Sequence, residues 1–422
     1  MNLRMLLCAT APFRLGEIDP CAAHKRVLRA GHTRCSSGRM MQAVICGGGV
    51  TGLTLATQLG HSGWKVVILT PAQRPGGGFL VKLCDEGLNA ARRLGLMPYL
   101  MEHREPLVGL HWIDRLGRTI AHTGPRRGGS REPSDCITIL RRNLEKGLLG
   151  QMPGNVEVRS GCNVTALRTP RASVDVLLDT GETLTADLLI GADGVHSHVR
   201  DLTFGDGTLW SRSLGYDRAA FVFKDATVRE RLAGKLTTLS VPGRHVALCP
   251  LRRNRVAAVL IHRTTRATRR EAAKSQRLEQ VYGDLEWCVP SVLHHAAVSN
   301  DLQYEQAEQL RMPAWHRGRI ALLGEACHAF SLWPGQSTSI ALAAAFFLGR
   351  EIVRTHSIDV AFRWYEEHLM NAVARQRLIA RRAANWLLPS TPAELALRNG
   401  ALRLATFSGA GRFVRSMLEP LI

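Results

Sequence analysis

A glycine-rich turn stands between two apolar runs near the start of the chain. Gly47, Gly49 and Gly52 are spaced as G-x-G-x-x-G, with Val50 and Thr51 between the last two. In this spacing the first glycine permits a tight turn, the second lets a pyrophosphate approach the backbone, and the third lets a helix pack closely. The start of that helix presents free N–H groups to phosphates. The pattern predicts a dinucleotide site, and a glycine-rich turn without a ligand is the alternative.

The residues around this turn predict the elements that position it. Residues 43–46 are wholly apolar, as in a strand buried on both faces of a parallel sheet. Residues 53–61 have helical spacing, and residues 65–69 are rich in β-branched side chains. Together they form a βαβ unit of about 30 residues. The acid that usually ends the second strand and binds a ribose is replaced by Thr70, whose hydroxyl can still hydrogen-bond but carries no charge.

Two later segments repeat the pattern of a buried strand that ends on a turn. Residues 186–200 read A-D-L-L-I-G-A-D-G-V-H-S-H-V-R and place Asp193 and Gly194 in the turn. The next such segment, residues 318–328, ends its strand on Gly324 and Glu325. A P-G-Q-S-T-S stretch and a long Ala-rich helical pattern follow. In this order the three segments resemble the class A FAD-dependent monooxygenases, the family of p-hydroxybenzoate and salicylate hydroxylases, over residues 42–390.

The resemblance implies a cofactor, a reaction and a set of binding residues. In this family the first segment binds the ADP half of FAD, A-D-G-x-x-S-x-x-R serves FAD and nicotinamide, and G-D-A-x-H…P-x-x-G-Q-G holds the ribitol and flavin. NAD(P)H reduces the flavin, and a C4a-hydroperoxide formed with O2 hydroxylates or epoxidises a small aromatic or similar electron-rich substrate. The resemblance implies no catalytic side chain and no metal. The cofactor-binding residues it implies are Gly47, Gly49, Val50, Thr51, Gly52, Thr70, Arg141, Val164, Asp193, Gly194, Gly324, Glu325, Pro334 and Gly335.

Some of these positions match the family and others depart from it. Arg141 begins R-R-N-L, similar to the family's R-x-x-L helix start whose arginine reaches the flavin side, and Val164 sits where the family's backbone contacts adenine. Glu325 replaces an Asp, while Ser337 and Ser339 replace the Gly and Asn of G-Q-G-x-N. These departures leave two alternatives open: a flavin reductase or dehydrogenase on the same scaffold, or a non-catalytic flavoprotein.

The chain as a whole is expected to have an α/β fold. The resemblance and the β-rich middle predict a Rossmann-type FAD-binding domain, an interleaved β-sheet substrate domain and a helical C-terminus. The expected boundaries are an N-terminal extension or wrongly assigned start at 1–40, the FAD-binding domain at 41–204 with an excursion at 75–140, the β-rich substrate domain at 205–315, the flavin and ribitol segment at 316–355, and the C-terminal helices at 356–422.

The amino-acid composition limits the classes of partner that the chain is expected to bind. The 422 residues carry 55 Lys and Arg against 35 Asp and Glu, a net charge of +20. The arginines are spread along the chain and aromatic residues make up only 6%, which argues against nucleic-acid binding. The longest apolar run, residues 340–348, is half of the roughly 18 needed to span a bilayer. For the basic, amphipathic residues 373–418, a solvated helical face and a peripheral membrane contact both stay open. A small molecule is the expected partner, and no oligomeric state is predicted.

The ten cysteines show no C-x-x-C pair and no regular spacing. That pattern argues against zinc ribbons and redox dithiols, and a chain of this length needs no disulfide support. We therefore expect reduced cysteines and a cytoplasmic protein. Cys327 and His328 are adjacent, but no further residues at metal-ligand spacing accompany them.

Overall fold

The computed structural model describes residues 39–72, 80–123, 136–264, 273–330 and 335–407. Residues 1–38 of the extension predicted at 1–40, and Pro334, lie outside the described residues. The strands, in chain order, are β1 (Gln42–Cys46), β2 (Lys65–Thr70), β3 (Leu80–Cys84), β4 (Gly109–Ile113), β5 (Thr119–His122), β6 (Cys136–Leu140), β7 (Val156–Ser160), β8 (Val164–Arg168), β9 (Val174–Leu178), β10 (Thr183–Ala186), β11 (Leu188–Gly191), β12 (Ser211–Lys224), β13 (Lys235–Val241), β14 (Arg244–Pro250), β15 (Arg255–Arg263), β16 (Gln303–Leu310), β17 (His316–Arg317) and β18 (Ile320–Leu322).

The helices alternate with these strands in the first half of the chain and dominate its end. In chain order they are α1 (Val50–His61), α2 (Asp85–Arg93), α3 (Met97–His103), α4 (Arg141–Gly150), α5 (His198–Phe204), α6 (Ala226–Arg231), α7 (Lys274–Tyr282), α8 (Val289–Ala297), α9 (Glu325–His328), α10 (Gln336–Thr355), α11 (Ile358–Leu387) and α12 (Pro392–Phe407). A short 3-10 helix spans Gly207–Leu209. Among the described helices, none combines the length and the apolar character that crossing a membrane requires.

A six-stranded sheet forms one half of the molecule, the half in which the resemblance places the cofactor, in the order β17-β18-β11-β1-β2-β7. The neighbours from β18 to β7 are parallel, and only the short β17 runs antiparallel. The apolar strand predicted at residues 43–46 is β1, in the middle of this sheet, and it is buried along its length. A run of apolar side chains suits this place because helices cover both faces of a parallel sheet.

A seven-stranded sheet forms the second half, in the order β16-β12-β15-β14-β13-β4-β5. One of its faces packs under α7 and α8, through residues such as Leu278 and Val292. The other face carries a second apolar cluster, which Leu387 of α11 and Leu402 of α12 close at one end. The excursion predicted at 75–140 contributes β4 and β5 to this sheet, so the two halves are interleaved along the chain. The predicted α/β fold class is confirmed.

The expectation of reduced cysteines is wrong for one pair. Cys84 and Cys136 stand opposite each other across the antiparallel strands β3 and β6, and they form a disulfide. The two residues are 52 positions apart, and it is the strand pairing that brings their α-carbons within 4.3 Å. The other cysteines in the described ranges have free thiols, namely Cys46, Cys162, Cys249, Cys288 and Cys327. The spacing of cysteines along the chain therefore misses a pairing that the sheet register creates.

Contacts with the six-stranded sheet begin at Arg39, two residues before the predicted boundary at residue 41. The guanidinium of Arg39 pairs with the buried carboxylate of Asp187, at the start of β11. The same carboxylate accepts a hydrogen bond from the backbone nitrogen of Gln42, 2.8 Å away. Arg39 thus belongs structurally to the six-stranded sheet rather than to an extension.

Candidate cofactor and substrate site

The three turn segments identified in the sequence meet at one edge of the six-stranded sheet. They follow β1, β11 and β18, which are neighbouring parallel strands and so end at the same edge. A β-carbon on Gly47 would stand 2.1 Å from the carbonyl oxygen of Ala192, and one on Gly324 would stand 2.7 Å from Oγ1 of Thr51. Open α/β sheets bind ligands in the crevice outside the carboxyl ends of their strands. The close contacts place all three segments at that crevice.

The first turn has the geometry of a phosphate cradle. Gly47 has φ +119°, a conformation that side chains rarely adopt, and a β-carbon on Gly52 would stand 1.9 Å from the oxygen of Gly47. Gly49 precedes the first residue of α1, Val50, and no side chain caps the free N–H groups there. These groups can donate to a pyrophosphate, and a small residue at 49 leaves room for it.

Arg141 lies between the first turn, at residues 47–52, and the third turn, which ends on Glu325. It is the first residue of α4, directly after β6. Its Nη2 atom would lie 2.9 Å from a β-carbon on Gly49, and its Nε donates to Oε1 of Glu145 at 3.0 Å. Burial opposes the charged form, but the carboxylates of Glu145 and Glu325 raise the pKa of Arg141 above its usual value. The guanidinium is therefore a fixed positive charge between the two segments.

Asp193 presents an acceptor that the protein itself leaves unused. Its Oδ2 accepts from the backbone nitrogen of Val199 at 3.1 Å, while its buried Oδ1 has no partner within the described part of the chain. Burial raises the pKa of Asp193, and hydrogen bonds from Ser197 and Val199 offset part of that rise. A buried acceptor without a donor is costly unless a ligand supplies one. A hydroxyl of the implied cofactor fits this requirement.

The residues that depart from the family pattern, in the third segment and at the start of α10, all form hydrogen bonds. Ser337 donates to Oε1 of Glu325 at 2.6 Å. Partial burial of Glu325 favours the neutral acid, but Arg141, Arg218 and the Ser337 hydroxyl outweigh it and hold the pKa of Glu325 below its usual value. Ser339 accepts from the backbone nitrogen of Cys84 and donates to its oxygen, at 3.0 and 2.9 Å. The start of α10 is thereby tied to β3.

A charged pair on the seven-stranded sheet faces this segment, and sequence reasoning did not find it. Arg218 on β12 donates to Oε2 of Glu305 on β16 at 2.9 Å. Arg218 lowers the pKa of Glu325, and Glu305 raises the pKa of Arg141. Neither residue belongs to a motif, so only the alternation of charged positions in the β-rich runs could have drawn attention to them. They mark where the seven-stranded sheet comes close to Arg141 and Glu325.

Four further predicted residues lie at the ends of strands and in turns. Thr70 is the last residue of β2 and Val164 the first of β8, and both are buried. Gly335 has φ +80°, and a β-carbon there would stand 2.2 Å from the oxygen of Leu80. Gly194 also has a positive φ, of +88°.

His328, next to the third turn, has a structural contact. Its Nε2 accepts from the backbone nitrogen of Gly324 at 3.1 Å, and burial together with Arg377 lowers its pKa to about 4. In the described ranges, no group of three His, Cys, Asp or Glu residues is arranged to hold a metal ion.

Comparison with known proteins gives one family. The family model described as "FAD binding domain" matches residues 40–357. An uncharacterized protein of Mycobacterium tuberculosis is 29% identical over 333 residues, covering 74% of this chain and 85% of the relative. The 3-hydroxybenzoate 6-hydroxylase 1 of Aquipseudomonas alcaligenes is 25% identical over 364 residues, covering 84% and 92%.

Solved structures share the fold. Klebsiella pneumoniae HpxO, complexed with FAD and uric acid, has a TM-score of 0.73 at 22% identity and covers 90% of this chain and 96% of its own. Tetracycline destructase Tet(51) also has a TM-score of 0.73, at 21% identity, covering 87% and 97%. The family match spans most of the chain, and the predicted family, fold class and FAD cofactor are confirmed. This chain belongs to the FAD-binding-domain family of class A flavin-dependent monooxygenases.

Proposed function

We propose that this monooxygenase hydroxylates a small, electron-rich aromatic compound at the place where the flavin segment meets the seven-stranded sheet. One observation carries the proposal: the hydrogen-bonded pair of Arg218 and Glu305 on the sheet lies close enough to the cofactor side for Arg218 to interact electrostatically with Glu325, and Glu305 with Arg141. A substrate on this face of the sheet would lie close to Glu325 and Arg141, the residues that would hold the flavin end of the cofactor. The 3-hydroxybenzoate 6-hydroxylase relative indicates the aromatic class.

The chain's own residues would hold FAD along its length. We assign the pyrophosphate to the free N–H groups at Gly49, Val50 and Thr51, with Arg141 as the counter-charge. The adenosine end is assigned to Thr70 and the β8 backbone at Val164. Hydroxyls of the ribitol chain are assigned to the unpartnered Oδ1 of Asp193 and to the ionised Glu325. Gly47, Gly52, Gly194, Gly324 and Gly335 would shape the backbone around it.

The bound flavin supplies the redox chemistry, accepting a hydride from NAD(P)H and activating O2, so that one oxygen atom enters the substrate and the other leaves as water. The protein contributes position and charge. Arg141 and the Glu325–Ser337 pair fix the flavin end of the cofactor. The apolar face of the sheet excludes water from the reacting atoms, which strengthens electrostatic interactions there. We assign no acid or base to a side chain.

The sheet face favours a neutral ring over a carboxylate. Half-buried apolar side chains pack at this face, and they include Leu80, Leu107, Leu110, Leu214, Val222 and Val259. Arg218 is the cation of this face that interacts electrostatically with Glu325, and Glu305 already pairs with it. A substrate carboxylate would therefore compete with Glu305 for the charge of Arg218, which makes its transfer from water less favourable than that of a neutral ring.

The reaction is tested with 18O2. The purified protein should show flavin absorbance and oxidise NAD(P)H slowly alone and faster with the right phenol, because substrate binding gates flavin reduction in such enzymes. One labelled oxygen atom should appear in the product and one in water. If the best substrate is oxidised with no label incorporated, the protein is a dehydrogenase or oxidase. A colourless, folded protein would instead point to a scaffold without turnover.

The preference for a neutral ring is tested by removing the carboxylate that pairs with Arg218. Glu305→Gln keeps the size of the side chain but removes the charge that neutralises the guanidinium. We expect the KM of an aromatic carboxylate to fall by about tenfold relative to that of the matching phenol, equivalent to about 1.4 kcal/mol. Glu308→Gln on the same strand is the matched control. Equal KM ratios in the two variants would contradict the assignment of the Arg218–Glu305 pair to the substrate side.

A further inference from the structure

The last described helix, α12, has an apolar side turned outward as well as one turned inward. The inward side holds Arg398 and Leu402, which are buried, and Leu402 joins the cluster on the seven-stranded sheet. At about 100° per residue, a different set of apolar residues falls on the opposite side of the helix. This set, which we call the α12 outer face, consists of Ala393, Leu397, Ala401 and Leu404. Leu397 and Leu404 are 75% and 73% exposed, more than any other large apolar residue in the described ranges.

Buried polar contacts fix the orientation of α12. Nη1 of Arg398 donates to Oγ of Ser240 at 2.9 Å and to the oxygen of Leu387 at 3.4 Å. Burial lowers the pKa of Arg398 to about 10, so the group keeps its charge at neutral pH. Rotating α12 to bury Leu397 and Leu404 would break these bonds and leave a buried charge unpaired, which is strongly unfavourable. The leucines therefore stay outside.

The stretch of chain that contains the second half of α11 and all of α12 is strongly positive. Residues 369–407 contain six arginines and a single acid, Glu394. Four of the arginines are exposed: Arg375, Arg381, Arg382 and Arg403. A second copy of this face would bring the same charges, and residues 408–422 carry two arginines against one glutamate. Neither offers charge complementarity, so the partner that fits is both anionic and able to take up leucine side chains.

We propose that the α12 outer face binds the surface of an anionic lipid bilayer. Leu397 and Leu404 insert into the boundary between headgroups and acyl chains, where apolar side chains leave water. Arginines on α11 and α12 extend their apolar stems along this boundary and place their guanidinium groups among lipid phosphates. Helix α12 lies in the plane of the surface, with its inner side still packed on the substrate sheet. This contact is independent of the reaction proposed above.

The test is sedimentation of the full-length protein with lipid vesicles. We expect it to bind phosphatidylcholine vesicles that contain phosphatidylglycerol, to bind pure phosphatidylcholine weakly, and to dissociate as salt screens the charges. Leu397→Gln with Leu404→Gln should lower the partition coefficient by about tenfold or more. The control is Leu209→Gln with Val298→Gln, because these residues are 72% and 71% exposed elsewhere on the surface. Circular dichroism and flavin absorbance establish that all variants fold.

Three results would overturn the proposal. The wild-type protein could fail to bind the anionic vesicles, as it would if another segment covered the face. Both pairs of substitutions could weaken binding equally, which would make the effect general rather than local. Light scattering after gel filtration could instead show a dimer that only the Leu397 and Leu404 substitutions dissociate, in which case a second copy of the chain occupies the face. An acidic protein as partner would appear as wild-type protein that ignores lipid at every salt concentration.

Discussion

Ser337 donates a hydrogen bond of 2.6 Å to Glu325, so two residues that depart from the family pattern contact each other. Glutamate is one methylene longer than the family's aspartate, and serine supplies a hydroxyl where the family has glycine. The hydroxyl also helps to keep the carboxylate ionised, together with Arg141 and Arg218. The two departures form one hydrogen-bonded pair, so each compensates for the other at the predicted FAD site.

A double-mutant cycle tests this coupling. Glu325→Asp and Ser337→Gly should each weaken FAD binding, because each leaves the other residue without its partner. The double variant, which restores the family's residue types, should lose less than the sum, with a coupling free energy of about 0.5–3 kcal/mol. Flavin fluorescence titration of the apoprotein gives the affinities. Strict additivity would show that the two side chains act separately.

Gly49→Val should abolish FAD binding while the protein stays folded. A β-carbon at this position meets the flexible end of Arg141, at 2.9 Å, and Oε1 of Glu145 at an ordinary 3.7 Å, so the fold can accommodate it. The pyrophosphate approaches the backbone at the same place, and a branched side chain would exclude it. Gly154→Val is the control, because a β-carbon there meets nothing within 4 Å. Stoichiometric flavin in the Gly49 variant would contradict the assignment of this turn.

Stability should fall as the pH drops from about 6.5 to about 4. Burial lowers the pKa of His328 to about 4 from its usual 6.5, so the unfolded state binds the proton first in this window. Each such histidine lowers the free energy of unfolding by up to about 1.4 kcal/mol per pH unit. His262, with its pKa also lowered to about 4 by burial, adds a similar slope. Urea unfolding at several pH values should show a smaller slope for His328→Gln, and an unchanged one for the exposed control His294→Gln.

Reduction of the Cys84–Cys136 bridge should destabilise the protein by about 2–4 kcal/mol, the usual contribution of a disulfide that closes a long loop. The bridge closes a loop between residues 52 positions apart and lies where Ser339 ties α10 to β3. Urea unfolding with and without dithiothreitol should differ for the wild type and for Cys162→Ser, but not for Cys136→Ser. Free thiols at both positions in unreduced protein would show that the bridge does not form.

A chain shortened to begin at Met41 should fold and bind FAD, but melt below one that begins at Arg39. The shorter chain loses the Arg39 guanidinium that pairs with the buried Asp187. The loss is moderate, about 1 kcal/mol, because Arg39 is itself largely exposed and Gln42 still donates to the carboxylate. Differential scanning calorimetry of the two chains, and of Arg39→Met in the longer one, gives the comparison. Identical melting of all three would remove any role for this pair.

The sequence by itself determined the family, the α/β fold class and the three turn segments of the cofactor site. Each of these segments is local: Gly47 and Gly52 are required within one turn, and the apolar strand before them is encoded by five neighbouring residues. Backbone geometry of this kind depends on residues adjacent in the chain, so spacing alone reveals it. The β-rich middle was visible for the same reason.

Only the tertiary structure decided which distant side chains meet. Cys84 and Cys136 pair because β3 and β6 are neighbours in a particular register, and a shift of one residue would turn the two cysteines to different faces. Arg218 and Glu305 come from strands that are far apart in the chain and adjacent in the sheet, and the packing of the two halves brings Arg218 near Glu325 and Glu305 near Arg141. Side chains alternate along every strand, but the sequence does not say which face the cofactor half covers. That choice is made by the packing of one sheet against the other.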